Sequence, residues 1–167
     1  MRGAYARTME DQLRRSAWIV AAFSAAGYLA LIVCAYGFVS LFTDAEVIAS
    51  PEAGLLVGPA IVAAAVVALL LHLGRALRRP QHMAGPVLLA ALWTWLAAVV
   101  VAMIAYSLAT GTALASLLFA LGFGVGWFGL LIPALAALVT SFAVLVARGE
   151  QGGAERPRWP WERDDEQ

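Results

Sequence analysis

Residues 54–79 read GLLVGPAIVAAAVVALLLHLGRALRR, an uncharged apolar run that ends in three arginines. A transmembrane helix needs about 20 apolar residues to cross about 30 Å of hydrocarbon, and the run from 54 to 73 has that length. Three similar runs lie at about 17–42, 86–109 and 125–147. The sequence therefore predicts an all-α polytopic membrane protein, a bundle of four transmembrane helices.

The basic residues lie on one side of these four runs. All eleven are arginines, and they are Arg2, Arg7, Arg14 and Arg15 before the first run, Arg75, Arg78 and Arg79 after the second, and Arg148, Arg156, Arg158 and Arg163 after the fourth. The first of the other two connections carries Asp44, Glu46 and Glu52 instead. Since cytoplasmic loops carry the excess of Lys and Arg, this pattern predicts both termini in the cytoplasm.

The composition leaves no room for a soluble domain. The 167 residues are 62% hydrophobic and 13% charged, whereas a soluble domain is roughly half apolar and a quarter charged. We divide the chain into a cytoplasmic N-terminal segment (1–16), a four-span membrane domain (17–148) and a disordered cytoplasmic tail (149–167). The exclusive use of arginine suggests a genome rich in GC, and we expect a multi-pass protein of a bacterial cytoplasmic (inner) membrane.

Several short motifs predict where helices begin and end. Thr8–Asp11 has the form of a capping box, so the first helix is expected to start near Met9. Ser50–Glu52 resembles a helix start, with a capping hydroxyl, a proline and an acid. Pro59 predicts a mild kink, and Gly111 predicts the end of the third helix.

The last apolar stretch is too long for one upright helix. Leu114 to Ala147 is 34 residues without a charge, roughly 50 Å as a single helix. The segment from Trp127 to Arg148 has the length of a span. We therefore predict a break between Phe119 and Trp127, preceded by a short apolar helix over about 112–123 that lies at the outer interface and packs over the outer ends of the bundle.

The spans contain no Asp, Glu, Lys or Arg. Charges inside the membrane mark proton relays and ion paths, so their absence argues against a coupled transporter acting alone and against an intramembrane hydrolase. The chain also has no phosphate-binding glycine loop, nucleophile elbow or metal-ligand cluster. We expect no enzymatic activity and assign no catalytic residue, cofactor or metal site.

A few residues leave two interpretations open. His72 is either a proton or metal site or an interfacial histidine that touches headgroups, and we prefer the second because no further ligand lies nearby in sequence. The acids Asp44, Glu46 and Glu52 either bind a cation or are ordinary loop acids. Cys34 is expected to be a buried, inert thiol.

Small residues recur every fourth position, a spacing that lets helices approach closely in lipid. The rows are Gly54 and Gly58; Ala22, Ala26 and Ala30; Gly122 and Gly126; Ala136 and Thr140; Ala137 and Ser141. They indicate packing inside the bundle or, alternatively, a homo-oligomer. Interhelical hydrogen bonds are expected from Ser24, Tyr28, Tyr36, Ser40, Thr94, Tyr106 and Ser141. In the tail, Trp159–Trp161 is either a docking motif or an anchor to the inner headgroups.

One tract carries a resemblance to known sequences. It runs from Cys34 to Asp44 and continues with Val47–Ala49 and Pro51–Gly54. With its four spans, the chain resembles uncharacterised small four-span membrane proteins of actinobacteria over roughly residues 5 to 148. The resemblance implies the membrane setting and no catalytic residues.

These observations predict an integral membrane protein that acts through protein or lipid contacts in the bilayer. Its expected partners are the lipid bilayer and a second copy or another membrane protein, and no nucleic acid. The alternative is a subunit of a small-solute or lipid transporter, whose polar path would have to come from a partner or an oligomer.

Overall fold

The computed structural model describes residues 2–44, 48, 54–77 and 84–151, with side chains between Arg15 and Gly149 in those ranges. Every regular element in this part of the chain is a helix. The helices are α1 (Arg2–Thr43), α2 (Val57–Ala76), α3 (Ala84–Thr110), α4 (Ala113–Val125) and α5 (Trp127–Gln151). The predicted all-α fold is confirmed.

Four of these helices are long and apolar enough to cross a membrane. The spans are Arg15–Thr43, Val57–Ala76, Ala84–Thr110 and Trp127–Gly149, close to the runs read from the sequence. Helix α4 has only 13 residues, roughly 20 Å, which is too short for a crossing. The protein is a multi-pass helical membrane protein.

Two ends of the bundle can be distinguished by charge. Arg15, Arg75 and Arg148 lie at one end, which we call the basic end; Thr43, Val57 and Thr110 lie at the opposite end. A Cβ atom on Gly74 would lie 2.8 Å from the Trp18 ring, so α1 and α2 meet closely at the basic end.

The helix ends agree with the sequence motifs at one point and differ from them at two. Gly111 has a φ of 70° and donates its N–H to the Ser107 carbonyl at 2.8 Å, which confirms it as the stop of α3. Pro59 lies in the first turn of α2, where a proline removes no helical hydrogen bond and no kink is required. Helix α1 begins at Arg2, upstream of Met9, and no proline interrupts residues 2–8.

The segment 49–53, which contains the predicted helix start at Ser50, lies outside the described residues. So do Glu46 and the tail from residue 152, which contains Trp159–Trp161. The predictions made for these segments stay predictions.

The four spans pack as a ring in which α1 contacts α2 and α5, and α3 contacts α2 and α5. Each helix turns a row spaced by four residues to the interior. In α2 the buried row is Val57, Ile61, Ala65, Leu69 and Leu73, and in α3 it is Ala90, Thr94, Ala98, Ala102 and Tyr106. Many of these positions are alanines, as close packing in lipid favours.

The small-residue rows divide between the interior and the outside. Ala136 and Thr140 are fully buried, so internal packing explains that row. Ala22, Ala26 and Ala30 are exposed along α1, and packing inside the bundle does not explain them. A helix rich in alanine has small residues on every face, and the spacing alone does not select the buried one.

Helix α4 runs beside α3. The Tyr106 and Phe119 rings stack with centroids 4.4 Å apart, and the Trp95 indole N–H donates to the Gly124 carbonyl at 3.0 Å. Contacts with α3 therefore extend from Tyr106 to Trp95, roughly 16 Å. The prediction that this helix packs over the outer ends of the bundle is wrong. Because α4 lies alongside α3, the Gly124 carbonyl and the Trp95 indole N–H satisfy each other's hydrogen bonds, which apolar surroundings could not do.

The predicted break between Phe119 and Trp127 is confirmed. The chain turns at Gly126, whose N–H lies 3.0 Å from the Gly122 carbonyl and 3.1 Å from the Phe123 carbonyl, and whose own carbonyl accepts from Leu130. The ends of α4 and α5 come so close that a Cβ atom on Gly129 would overlap the Phe123 carbonyl. Only glycine fits there.

Candidate functional site

An apolar groove of about 770 Å³ lies between α1 and α5. The residues that line it on α1 are Ile19, Val20, Phe23, Ser24, Gly27 and Leu31, and those on α5 are Leu138, Val139, Ser141, Phe142, Ala143, Leu145 and Val146. Val139 and Ala143 are buried and form its floor, whereas Phe23 and Phe142 are exposed at its sides. The groove thus opens toward the lipid that surrounds the bundle.

The lining offers shape and apolar contact and very little polarity. Its two polar residues are Ser24 and Ser141, and the Ser141 hydroxyl donates to the Ala137 carbonyl of its own helix at 2.8 Å. Gly27 adds depth because it has no side chain, and a Cβ atom there would meet no atom within 4 Å. A larger residue at position 27 can therefore enter the groove without disturbing the bundle.

Two tyrosines hold α1 against α5: Tyr28 at the inner end of the groove, and Tyr36 beyond it toward the opposite end. Tyr28 donates its hydroxyl hydrogen to the Ile132 carbonyl at 2.9 Å, and Tyr36 donates to the Phe128 carbonyl at 2.8 Å. The Tyr36 and Phe128 rings also meet edge to face, with centroids 5.0 Å apart. The prediction that Tyr28 and Tyr36 form hydrogen bonds between helices is confirmed.

Pro133 separates the part of α5 that accepts the tyrosine hydrogen bonds from the part that lines the groove. It lies inside the helix, where it has no N–H for the Gly129 carbonyl and its ring crowds the preceding turn. The two tyrosine bonds lie before this proline, and every α5 residue of the groove lies after it. Helix α5 is therefore hydrogen-bonded to α1 before Pro133, and the groove separates the two helices after it.

Two arginines continue the rows of the groove at the basic end. Arg15 lies four residues before Ile19 and is exposed; Arg148 lies three residues after Leu145 and is partly buried. Positions three and four apart share a helix face, so Arg15 and Arg148 follow the lining residues on the same faces of α1 and α5, at the basic end. Apolar lining and positive charge meet at this point.

The interior of the bundle holds hydroxyl groups. Among the described residues, the buried polar ones are Thr94, Ser116 and Thr140. The Thr94 hydroxyl donates to the Ala90 carbonyl of its own helix at 2.8 Å, and it is also a side-chain partner of Tyr28 on α1, the kind of contact that was predicted. The Thr140 hydroxyl is buried without a hydrogen-bond partner.

His72 connects two helices at the basic end. Its Nε2 atom lies 2.9 Å from the Pro86 carbonyl, in the first turn of α3. The contact accounts for the histidine as a structural link between α2 and α3. Within the described residues, no three His, Cys, Asp or Glu side chains cluster as a metal site would require.

The other candidate residues lie apart from the groove. Asp44 follows α1 at the opposite end with a φ of 51°. Cys34 is exposed on the outward face of α1, so the prediction that its thiol is buried is wrong. The thiol faces lipid because the buried face of α1 passes through Ile32 and Tyr36 instead.

Sequence reasoning missed the groove and the proline that borders it. Pro133 was visible as a helix breaker within the fourth span, and Arg15 and Arg148 were recognised only as markers of the interface. The pairing of α1 with α5 joins residues more than 90 positions apart, as the tyrosine bonds show. No local signal reports such a pairing.

Comparison with known proteins gives a family and no activity. No curated protein and no solved structure matches the chain. A family model matches residues 9–167, so the match includes the tail that we expected to lie outside the resemblance. The predicted likeness to a membrane family of unknown function is confirmed, whereas an actinobacterial origin stays a prediction. The chain belongs to the family described as "Family of unknown function (DUF6121)".

Proposed function

We propose that the protein is a non-enzymatic component of a bacterial cytoplasmic membrane, and that it acts by holding a membrane-embedded ligand in the α1–α5 groove. The observation that carries the proposal is the groove itself: a preformed concavity of about 770 Å³ within the range of ligand sites, which is about 300–1,000 Å³. Its lining is suited to binding.

The chemistry of the lining supports binding and not catalysis. Among its thirteen residues there is no His, Cys, Asp, Glu, Lys or Arg, and the hydroxyl of Ser141 is engaged with its own helix. Acid–base and nucleophilic catalysis both require an activated group. The lining supplies none.

Site-specific photocrosslinking tests the proposal. Benzoylphenylalanine replaces Phe23 or Phe142 in the groove and, as a control, Trp93 on the outward face of α3, which is 56% exposed. We expect an adduct of one defined mass from the groove positions, absent from position 93 and lost when Gly27→Leu fills the groove. Identical adducts at all three positions, or adducts that Gly27→Leu does not change, would contradict the proposal.

A second function, a subunit of a transporter, is favoured by the break between α4 and α5. Discontinuous helices whose ends meet within the membrane form the substrate sites of many transporters, and the turn at Gly126 brings two such ends together. A scrambling assay in proteoliposomes tests this candidate. Movement of a fluorescent phospholipid between leaflets, at a rate proportional to the amount of protein, would support it; a rate equal to that of protein-free vesicles would exclude lipid transport by the chain alone.

A further inference from the structure

We propose that the occupant of the α1–α5 groove is an anionic phospholipid of the leaflet at the basic end, with an acyl chain in the groove and its phosphate beside Arg15 and Arg148. This inference rests on the proposed function and names the ligand of the same site. Three features of the groove select a lipid over a protein helix.

The first feature is length. The groove follows α1 from Ile19 to Leu31, roughly 18 Å at 1.5 Å per residue. Half of the hydrocarbon is roughly 15 Å thick, so the groove serves one leaflet. A partner helix or a second copy would pack along the whole bilayer, but beyond Leu31 the bond from Tyr36 to the Phe128 carbonyl joins α1 directly to α5.

The second feature is the kind of side chain in the lining. Close packing between transmembrane helices uses small residues at the contact. The sides of the groove are instead formed by large side chains such as Phe23, Leu31 and Phe142. The row of small residues on α1, Ala22 to Ala30, lies outside the lining. A flexible acyl chain fits an irregular apolar surface that a rigid helix does not.

The third feature is charge. Arg15 and Arg148 continue the two lining rows at the basic end, where the groove meets the headgroup region. Guanidinium groups bind phosphate with charge-assisted hydrogen bonds, and basic pockets between helices on the cytoplasmic side bind anionic headgroups. Because a guanidinium has five N–H donors, Arg148 can bind phosphate while it keeps a contact within the protein.

Lipid titration monitored by native mass spectrometry tests the inference. The purified protein in a nonionic detergent is titrated with phosphatidylglycerol or phosphatidylcholine that carry identical acyl chains. We expect one phosphatidylglycerol to bind roughly thirtyfold more tightly than phosphatidylcholine, from two arginines near an anionic group. Equal binding of the two lipids to the wild-type protein would overturn the inference.

Matched variants separate the headgroup from the acyl chain. Arg15→Gln combined with Arg148→Gln is expected to lower phosphatidylglycerol affinity to that of phosphatidylcholine, while Arg75→Gln, at the same end but on α2, leaves it unchanged. Gly27→Leu is expected to weaken both lipids at least tenfold. Gly37→Leu is its control, because position 37 is exposed on the same helix and equally free of neighbours.

The outcomes distinguish this inference from the proposed function. Should Gly27→Leu bind lipid as Gly37→Leu does, or should the double arginine variant keep the preference, the groove is not the lipid site. If Gly27→Leu lowers the yield of folded protein, Ser24→Leu fills the same groove and is judged by the same criteria. A polypeptide crosslinked at position 23, together with no preference between the two lipids, would overturn the inference that the occupant is a lipid. It would leave the proposal that the groove is a binding site intact.

Discussion

Removing the hydroxyl groups of Tyr28 and Tyr36 should weaken the bundle by a small and measurable amount. Each hydroxyl donates to a backbone carbonyl of α5, at 2.9 Å and 2.8 Å. Hydrogen bonds between transmembrane helices contribute about 0.6 kcal/mol on average and about 1.7 kcal/mol at most. The two tyrosines lie about two helical turns apart along α1 and use different acceptors on α5, so we expect their contributions to add, to about 1.2 kcal/mol for the double variant.

The substitution to phenylalanine isolates the hydroxyl. It keeps the ring, and with it the edge-to-face contact of Tyr36 with Phe128. The carbonyls of Ile132 and Phe128 lie inside α5, where the helix supplies an N–H donor, so neither is left without a partner. The reduction in stability should therefore remain well below the 3–5 kcal/mol typical of deleting a buried aromatic ring.

Steric trapping in bicelles measures the free energy of unfolding of Tyr28→Phe, Tyr36→Phe and the double variant. Ser141→Ala is the control, because its hydroxyl bonds within its own helix and its removal should have little effect. If the double variant matches the wild type within about 0.3 kcal/mol, the tyrosine bonds do not hold α1 to α5. An equal loss in the Ser141→Ala control would lead to the same conclusion.

Three further predictions follow from close approaches and from charge. Gly129→Ala should reduce stability by about 3 kcal/mol or more, since its Cβ atom would overlap a backbone oxygen of α4 that cannot move aside; Gly122→Ala, whose Cβ atom meets nothing within 4 Å, is the control in the same unfolding assay. Gly74→Ala should destabilise by about 1–3 kcal/mol, because the Trp18 ring must shift, and a shift in the fluorescence of that tryptophan should accompany the loss. Reporter fusions should place Met1, Gln167 and the connection that carries Arg75–Arg79 in the cytoplasm, and Asp44 and Gly111 outside; a translocated terminus would contradict the topology.

The number and position of the spans could be predicted because the membrane acts on composition. Charges are excluded from the hydrocarbon and arginines mark the cytoplasmic side, so an uncharged apolar run such as 86–109 can be recognised as a span from the sequence. The end of α3 at Gly111 was predictable for a local reason, since a glycine readily adopts the positive φ of a helix stop.

The arrangement of the helices around one another could not be predicted in the same way. In a helix that is apolar all round, periodicity does not mark the buried face, and alanines occur on both sides, as the buried Ala21 and the exposed Ala22 of α1 show. The position of α4 depends on Trp95 and Gly124, which lie 29 residues apart. A buried indole N–H requires an acceptor, but the sequence does not say which carbonyl supplies it.

The short length of α4 has a consequence for how the protein is made. A helix of 13 residues cannot cross the bilayer, and its buried residues Ser116, Ala120 and Gly124 have a surface to pack against only when α3 is already in the membrane. The end of α4 is then closed by the first turn of α5 at Gly126. Helix α4 can therefore pack only after α3 is in place, and the contacts at its C-terminal end are complete only when α5 follows. A chain that stops before α5 would leave α1, α3 and α4 without the helix that contacts all three, and we expect membrane quality control to act on that incomplete state.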